Sequence, residues 1–130
     1  GNPRAGLKLF TGKADCVRCH PPPHYTLDQD PKTRGQYLDV GTPHLLPLRE
    51  GQQNPHYEGF GPPALVGSWD VFPMLSTGLA GLGVLDGGQV VVNARYALEV
   101  ATLDFPGKHG RADLLTRQEK ADLLAFLQSL

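Results

Sequence analysis

The 130-residue chain has few of the cysteines that stabilise many small domains, and it lacks the long apolar run that is typical of a membrane protein. Two cysteines supply neither a disulfide framework nor a four-cysteine zinc site. No apolar run is long enough to cross a bilayer, so no transmembrane segment is expected. The net charge is -1 at pH 7 and both signs are mixed along the chain, which does not indicate binding to nucleic acid or to a membrane surface.

Methionine and tryptophan each occur once, whereas glycine and proline are abundant, at 16 and 12 residues. Such a composition is typical of a chain rich in loops, with few long helices or strands. The length corresponds to one domain, residues 1–130, and the hydrophobic fraction of 40% allows only a small core. We therefore expect a single loop-rich domain.

The two cysteines stand in one short motif, Cys16-Val17-Arg18-Cys19-His20. This spacing is the attachment signature of c-type haem. Each thiol adds to one vinyl group of the porphyrin, and two intervening residues in a helical turn set the sulfurs at the right separation. The next residue then lies under the ring, where its imidazole can ligate iron. We predict one haem c, covalently bound through Cys16 and Cys19, with His20 as proximal ligand.

Three other uses of closely spaced cysteines fit less well. A zinc site lacks its second cysteine pair, and a thioredoxin-like redox pair belongs in a βαβ setting that the flanking sequence does not predict. A structural disulfide would close a very small loop. Haem attachment ranks above these three alternatives.

Met74 is the predicted second axial ligand. A thioether is a soft ligand that suits haem iron, and the long loop after His20 lets the chain return on the opposite face of the haem. A histidine or an open position is the alternative, although His24, His44 and His56 are more typical of loop residues.

Two further residues are candidate partners of the haem propionates. The indole N–H of Trp69 is a donor that needs an acceptor when it is buried. The guanidinium of Arg95 can neutralise a carboxylate. The plain alternatives are core packing for Trp69 and solvation for Arg95.

Hydrophobic patterns predict a helix at each end of the chain. Residues 4–14 indicate a short amphipathic helix with Gly6 and Phe10 on one face. Thr116 and Glu119 form a capping box ahead of the last helix, whose apolar face needs a partner. We expect the Gly6 and Phe10 face to be that partner.

The middle of the chain gives weaker patterns. Val90-Val91-Val92 favours a strand, and a helix is predicted from about Asn93 to Leu103. The glycine-rich segment from Leu79 to Gln89 is predicted to be a mobile loop.

Together these features resemble a class I type c-type cytochrome domain. The resemblance is carried by Gly6, Phe10, the Cys16 to His20 motif and the terminal Leu123-Leu124-Ala125-Phe126-Leu127. In that family the first and last helices cross, with the glycine and an aromatic residue at the contact. The resemblance implies an all-α, cytochrome c-like fold, with few short helices and long loops wrapped around one covalently bound haem.

A closer likeness is to the C-terminal haem domain of bacterial di-haem cytochrome c peroxidase-like proteins. It is carried by Asp39-Val40-Gly41-Thr42-Pro43 and by Pro63-Ala64-Leu65-Val66-Gly67-Ser68-Trp69. The sequence departs from that family at Val66, where arginine is usual, and at Ser76-Thr77-Gly78, where His-Asp-Gly is usual. Methionine ligands in the family usually follow that second stretch, so Met74 rests on the physical argument alone.

The motif and the resemblance imply electron transfer through one haem. The electrons would be exchanged with a redox partner protein or with another domain of the same polypeptide. Haem attachment of this kind is completed outside the bacterial cytoplasm, so a periplasmic or otherwise exported protein is expected, with its signal peptide absent from this chain. A peroxidase-like enzyme or a haem-based gas or redox sensor is the alternative. Peroxidase activity is not expected of this chain alone, because that family uses two haems.

Overall fold

The structure, a computed structural model, describes residues 1–40, 60–70, 82–84, 88, 90–103 and 108–130. Within these ranges there are three α-helices: α1 (Pro3–Thr11), α2 (Ala94–Leu103) and α3 (Arg117–Leu127). Single turns of 3-10 helix lie at Cys16–Arg18, Leu27–Gln29, Ser68–Asp70 and Ala112–Leu114. None of the helices in these ranges combines the length and the apolar character that a membrane span requires. The predicted helical class is confirmed for this part of the chain.

One short antiparallel pair of strands accompanies the helices, β1 (Leu82–Val84) and β2 (Val90–Val92), with Gly83 opposite Val91. The strand character predicted for the valine run is confirmed. The prediction of a loop over residues 79–89 is wrong at β1, because pairing with the valine run satisfies the backbone groups of this segment.

The predicted middle helix is confirmed as α2, which begins at Ala94 and ends at Leu103. Its Ala97 and Leu98 are buried, at 0% and 4% exposure. Helix α2 therefore contributes these two side chains to the buried interior.

Helix α1 starts at a side-chain cap. The Oδ1 atom of Asn2 accepts hydrogen bonds from the backbone N–H groups of Arg4 and Ala5, at 3.0 and 3.3 Å. Pro3 occupies the first turn, where its missing N–H removes no helical bond. The helix ends earlier than predicted because Gly12 adopts φ -126° and ψ -102°, outside the helical region.

The predicted capping box of α3 is confirmed. The N–H of Thr116 donates to Glu119 at 2.7 Å, and the N–H of Glu119 donates to the Thr116 hydroxyl at 3.2 Å. Lys13 donates to the same carboxylate at 2.7 Å. The pKa of Glu119 is lowered to about 2, mainly by the Lys13 ammonium and to a smaller extent by the Thr116 N–H. The start of α3 is thereby tied to the chain just after α1.

Helices α1 and α3 cross closely at Gly6. A Cβ at this position would lie 2.1 Å from the carbonyl oxygen of Asp122 and 2.6 Å from the Cβ of Phe126. One turn later, Phe10 meets Phe126 edge to face, with ring centroids 5.2 Å apart. The predicted contact between the Gly6 and Phe10 face and the last helix is confirmed.

The core lies where the three helices meet. Phe10 and Leu123 are fully buried at its centre, and Leu98 joins them from α2. The other members of the cluster come mostly from α3 and the turn before it: Ala14, Ala112, Leu115, Leu124, Phe126 and Leu127. Since Ala14 lies two residues before Cys16, the cysteine motif stands close to this core.

Overpacking usually costs about 1–3 kcal/mol, so replacing Gly6 with alanine is expected to lower the free energy of unfolding by up to about 2 kcal/mol net of the gain in helix propensity. The added Cβ forces α1 away from α3, which outweighs the ~1 kcal/mol that alanine gains over glycine in helix propensity. Urea unfolding measures the difference. The control is Lys8→Ala, at an exposed position of the same helix. A Gly6→Ala variant as stable as this control would contradict the close crossing.

Candidate haem site

The cysteine motif forms one helical turn after α1. The backbone N–H groups of Cys19 and His20 both donate to the carbonyl of Cys16, at 3.2 and 3.0 Å. Asp15 precedes the turn with a left-handed φ of 56°. Both thiols are free and half-buried, so the cysteines are not joined as a disulfide. The predicted helical turn between the cysteines is confirmed.

The Cys16 thiol differs from the thiol of a redox-active cysteine pair. Burial, together with the negative charges of Asp15 and Cys19, raises the pKa of Cys16 to about 12. Redox-active Cys-x-x-Cys pairs have a thiol whose pKa is lowered, because the thiolate is the reactive form. The Cys16 environment therefore does not favour the thioredoxin-like alternative.

A backbone carbonyl fixes the imidazole of His20. Its Nδ1–H donates to the carbonyl oxygen of Tyr25 at 2.9 Å. This bond leaves the lone pair on Nε2, the tautomer that ligates a metal, and makes that nitrogen more basic. This carbonyl follows three consecutive prolines, Pro21 to Pro23, which stand directly after the motif and end its helical turn.

Tyr25 holds this carbonyl in place through its ring. The ring packs edge to face on Phe10 and Phe126, with centroids 5.6 and 6.0 Å away. Its φ of 55° is left-handed, a conformation that costs a residue other than glycine about 1–3 kcal/mol. Aromatic contacts of this kind offset such strain. The orientation of His20 therefore depends on the same aromatic cluster that joins α1 to α3.

A cavity of about 410 Å³ opens beside the motif. Its volume lies within the roughly 300–1,000 Å³ that is usual for ligand and cofactor pockets. Three of the predicted site residues, Cys16, Cys19 and His20, line it together. The rest of the wall comes from residues beside or within the motif, from the segment after the prolines, from the last turn of α2 and from the connection between α2 and α3: Asp15, Arg18, Leu27, Thr33, Gln36, Leu38, Asp39, Val40, Thr102, Lys108, His109, Gly110 and Ala112.

A second histidine, His109, borders the same cavity from the connection between α2 and α3. Its ring centroid lies 6.4 Å from that of His20, and the two ring planes are inclined at 58°. Its Nδ1–H donates to the carbonyl of Ala101 at 2.8 Å. The sequence-based reasoning weighed three other histidines and missed this one. No local pattern singles out His109, because its placement depends on a backbone hydrogen bond between the neighbouring Arg111 and the distant Ala14.

Burial lowers the pKa of both imidazoles. For His20, burial has the largest lowering effect on the pKa and His109 lowers it further, while the carbonyls of Tyr25 and, less, Pro63 raise it. For His109, burial acts against the raising effect of the Ala101 carbonyl. Both rings are therefore neutral at neutral pH, the form in which histidine binds metals.

The remaining sequence-based candidates are not among the described side chains, with the exception of His24. Met74 lies outside these residues, as do His44 and His56. Trp69 belongs to a 3-10 turn and Arg95 to the first turn of α2, and their side chains also lie outside the described part. The predicted propionate partners stay predictions.

His24 is the one histidine of the predicted loop group that the described residues include. Its side chain is exposed, and its backbone N–H donates to Gln29 at 3.0 Å. His24 therefore lies in a loop, as the sequence predicted for it.

The donors at the cavity fit a haem. Two free thiols and an imidazole with its lone pair on Nε2 border one cavity, whose lining combines apolar side chains with polar and charged ones. A haem brings its own four nitrogen ligands, so the protein has only to supply axial donors and the thiols for attachment. In the described ranges, no group of three or more His, Cys, Asp or Glu side chains is placed to hold a metal ion without such a ring.

Comparison with known proteins does not assign the chain to a family. It matches no protein-family model, no curated protein and no solved structure. The resemblance to a c-type cytochrome domain therefore stays a prediction, carried by the motif and by the residues of the two end helices.

Replacing Tyr25 with alanine is expected to destabilise the protein by about 2–4 kcal/mol, because its ring contacts with the core are lost. Tyr25→Phe keeps the ring and is the matched control, with an expected change below about 1 kcal/mol. Urea unfolding of the two variants measures both values. Equal stability of the alanine and phenylalanine variants would show that the ring does not anchor the loop carrying the His20 acceptor.

Proposed function

We propose that residues 1–130 form a mono-haem electron-transfer domain with a cytochrome c-like fold. One haem c is attached through Cys16 and Cys19 and ligated by His20. The observation that supports this most is the meeting of two free thiols and the Nε2 tautomer of His20 at one cavity. The close crossing of α1 and α3 supports the class I type cytochrome resemblance, since that family is expected to join its end helices in this way.

Attachment needs only the two thiols of the motif. Each S–H adds across one vinyl C=C bond, so that a C–S bond forms and the hydrogen moves to the neighbouring carbon. No electrons are gained or lost, and no further reactant is consumed. The helical turn from Cys16 to His20 places both cysteines in the lining of the cavity. Because such attachment is completed outside the bacterial cytoplasm, it is consistent with an exported, periplasmic protein.

The reduction potential of a haem held at this site would depend on its ligand His20 and on the residues that line the cavity. When bound, the haem supplies a one-electron couple between ferric and ferrous iron. The Tyr25 carbonyl keeps the proton of His20 on Nδ1, so Nε2 stays available and basic. Leu27, Leu38 and Val40 contribute apolar side chains to the lining of the cavity.

With a haem held by Cys16, Cys19 and His20, an electron would come from a one-electron donor and pass to a one-electron acceptor. Each is a redox partner protein or another domain of the same polypeptide, which meets the cavity mouth through a small transient interface. A second protein ligand would leave no coordination position for peroxide or a gas, and would favour this carrier role over the peroxidase-like and sensor alternatives. Met74 is the sequence-based candidate for that ligand, and it lies outside the described residues.

The proposal predicts that haem stays on the chain after denaturation. The protein is expressed with export and with the host's cytochrome c maturation machinery, and intact-mass spectrometry is combined with haem staining of a denaturing gel. We expect the mass of the polypeptide plus one haem. The double variant Cys16→Ser/Cys19→Ser is expected to carry no covalent haem, since a hydroxyl does not form the thioether.

The single variants serve as matched controls, and each is expected to retain haem through one thioether with a reduced yield. An intact mass equal to that of the polypeptide alone, under conditions in which a known c-type cytochrome matures in the same cells, would contradict the proposal.

A further inference from the structure

We propose that His109 is the second axial ligand of this haem, on the opposite side from His20, an inference that rests on the proposed attachment at Cys16 and Cys19. The sequence-based candidate for this position is Met74. The two assignments predict different ligand atoms, a nitrogen in one case and a sulfur in the other, so they can be separated by spectroscopy.

The separation of the two rings is the first argument. An imidazole nitrogen binds a first-row metal at about 2 Å, and the ring centre lies about 1 Å beyond that nitrogen, so two imidazoles on one metal have centroids about 6 Å apart. The centroids of His20 and His109 are 6.4 Å apart. The angle of 58° between the ring planes is compatible, because each ring can rotate about its own metal–nitrogen bond.

The hydrogen bonds of the rings are the second argument. His20 donates its Nδ1–H to the Tyr25 carbonyl at 2.9 Å, and His109 donates its Nδ1–H to the Ala101 carbonyl at 2.8 Å. Histidines that ligate metals characteristically donate their other ring N–H to such an acceptor. Both rings therefore have the same tautomer, with the lone pair on Nε2, and both border the same cavity.

The placement of His109 is fixed by the backbone that follows it. The N–H of Arg111 donates to the carbonyl of Ala14 at 2.8 Å, next to the cysteine motif. Gly110 has a left-handed φ of 66°, and a Cβ there would lie 2.8 Å from the same carbonyl oxygen. Since only glycine meets both conditions, the connection can lie against the motif and hold His109 at the cavity.

Ligation by two histidines has a functional consequence. It gives a lower reduction potential than ligation by histidine and methionine, because a thioether favours the ferrous state. It also fills the position at which peroxide or a gas would bind. The inference thus assigns the domain to electron exchange with partners of low potential.

The test compares the haem-loaded protein with His109→Ala by absorption spectroscopy, ferric and ferrous, with and without carbon monoxide. The wild type is expected to be low-spin and not to bind carbon monoxide. His109→Ala is expected to lose the low-spin ferric spectrum and to bind carbon monoxide. The exposed His24 provides the control, and His24→Ala is expected to match the wild type.

Two further measurements decide the question even if His109→Ala does not accumulate. Near-infrared magnetic circular dichroism of the ferric wild type is expected to show the band of two imidazole ligands. His109→Met is expected to show a sulfur-to-iron charge-transfer band and a higher reduction potential. The proposal is overturned if the wild type already shows the sulfur band, or if Met74→Ala loses the low-spin spectrum while His109→Ala keeps it.

Covalent haem is measured on every sample by staining a denaturing gel. Chains without covalent haem would count against the proposed function itself. Chains that carry covalent haem but keep a low-spin spectrum without His109 would count against the second ligand alone.

Discussion

The close crossing of α1 and α3 at Gly6 is the constraint on which the rest of the structure depends. With no side chain at this position, the backbone of α3 can approach α1, and Phe10 and Phe126 then meet in the core. The cysteine motif lies a few residues after the end of α1, and His109 lies shortly before the turn that leads into α3. Joining the two helices therefore brings these distant parts of the chain to one cavity.

The aromatic cluster extends this constraint to the chemistry of the site. Tyr25 packs on Phe10 and Phe126, and its carbonyl oxygen accepts a hydrogen bond from the Nδ1–H of His20. The same side-chain contacts that stabilise the helix pair thus select the histidine tautomer. A buried hydrogen bond of this kind holds the ring in place before any metal binds, which lowers the conformational cost of ligation.

The sequence predicted the features that depend on local patterns. Gly6 and Phe10 lie four residues apart on one helix face, and the Thr116 capping box is a local signal, so both ends of the fold were predictable. β1 was missed because a glycine-containing segment becomes a strand only through its partner. His109 was missed for a similar reason: the hydrogen bond from Arg111 to Ala14 joins residues far apart in the sequence, and no local pattern indicates it.

The most direct test of this account is a crystal structure of the haem-loaded protein, with the iron located by its anomalous scattering. The account predicts one iron between Nε2 of His20 and Nε2 of His109, with thioether bonds from Cys16 and Cys19. An iron with a sulfur or an open position opposite His20, and His109 away from the metal, would contradict the assignment of the second ligand. A cavity without covalently attached haem would contradict the site itself.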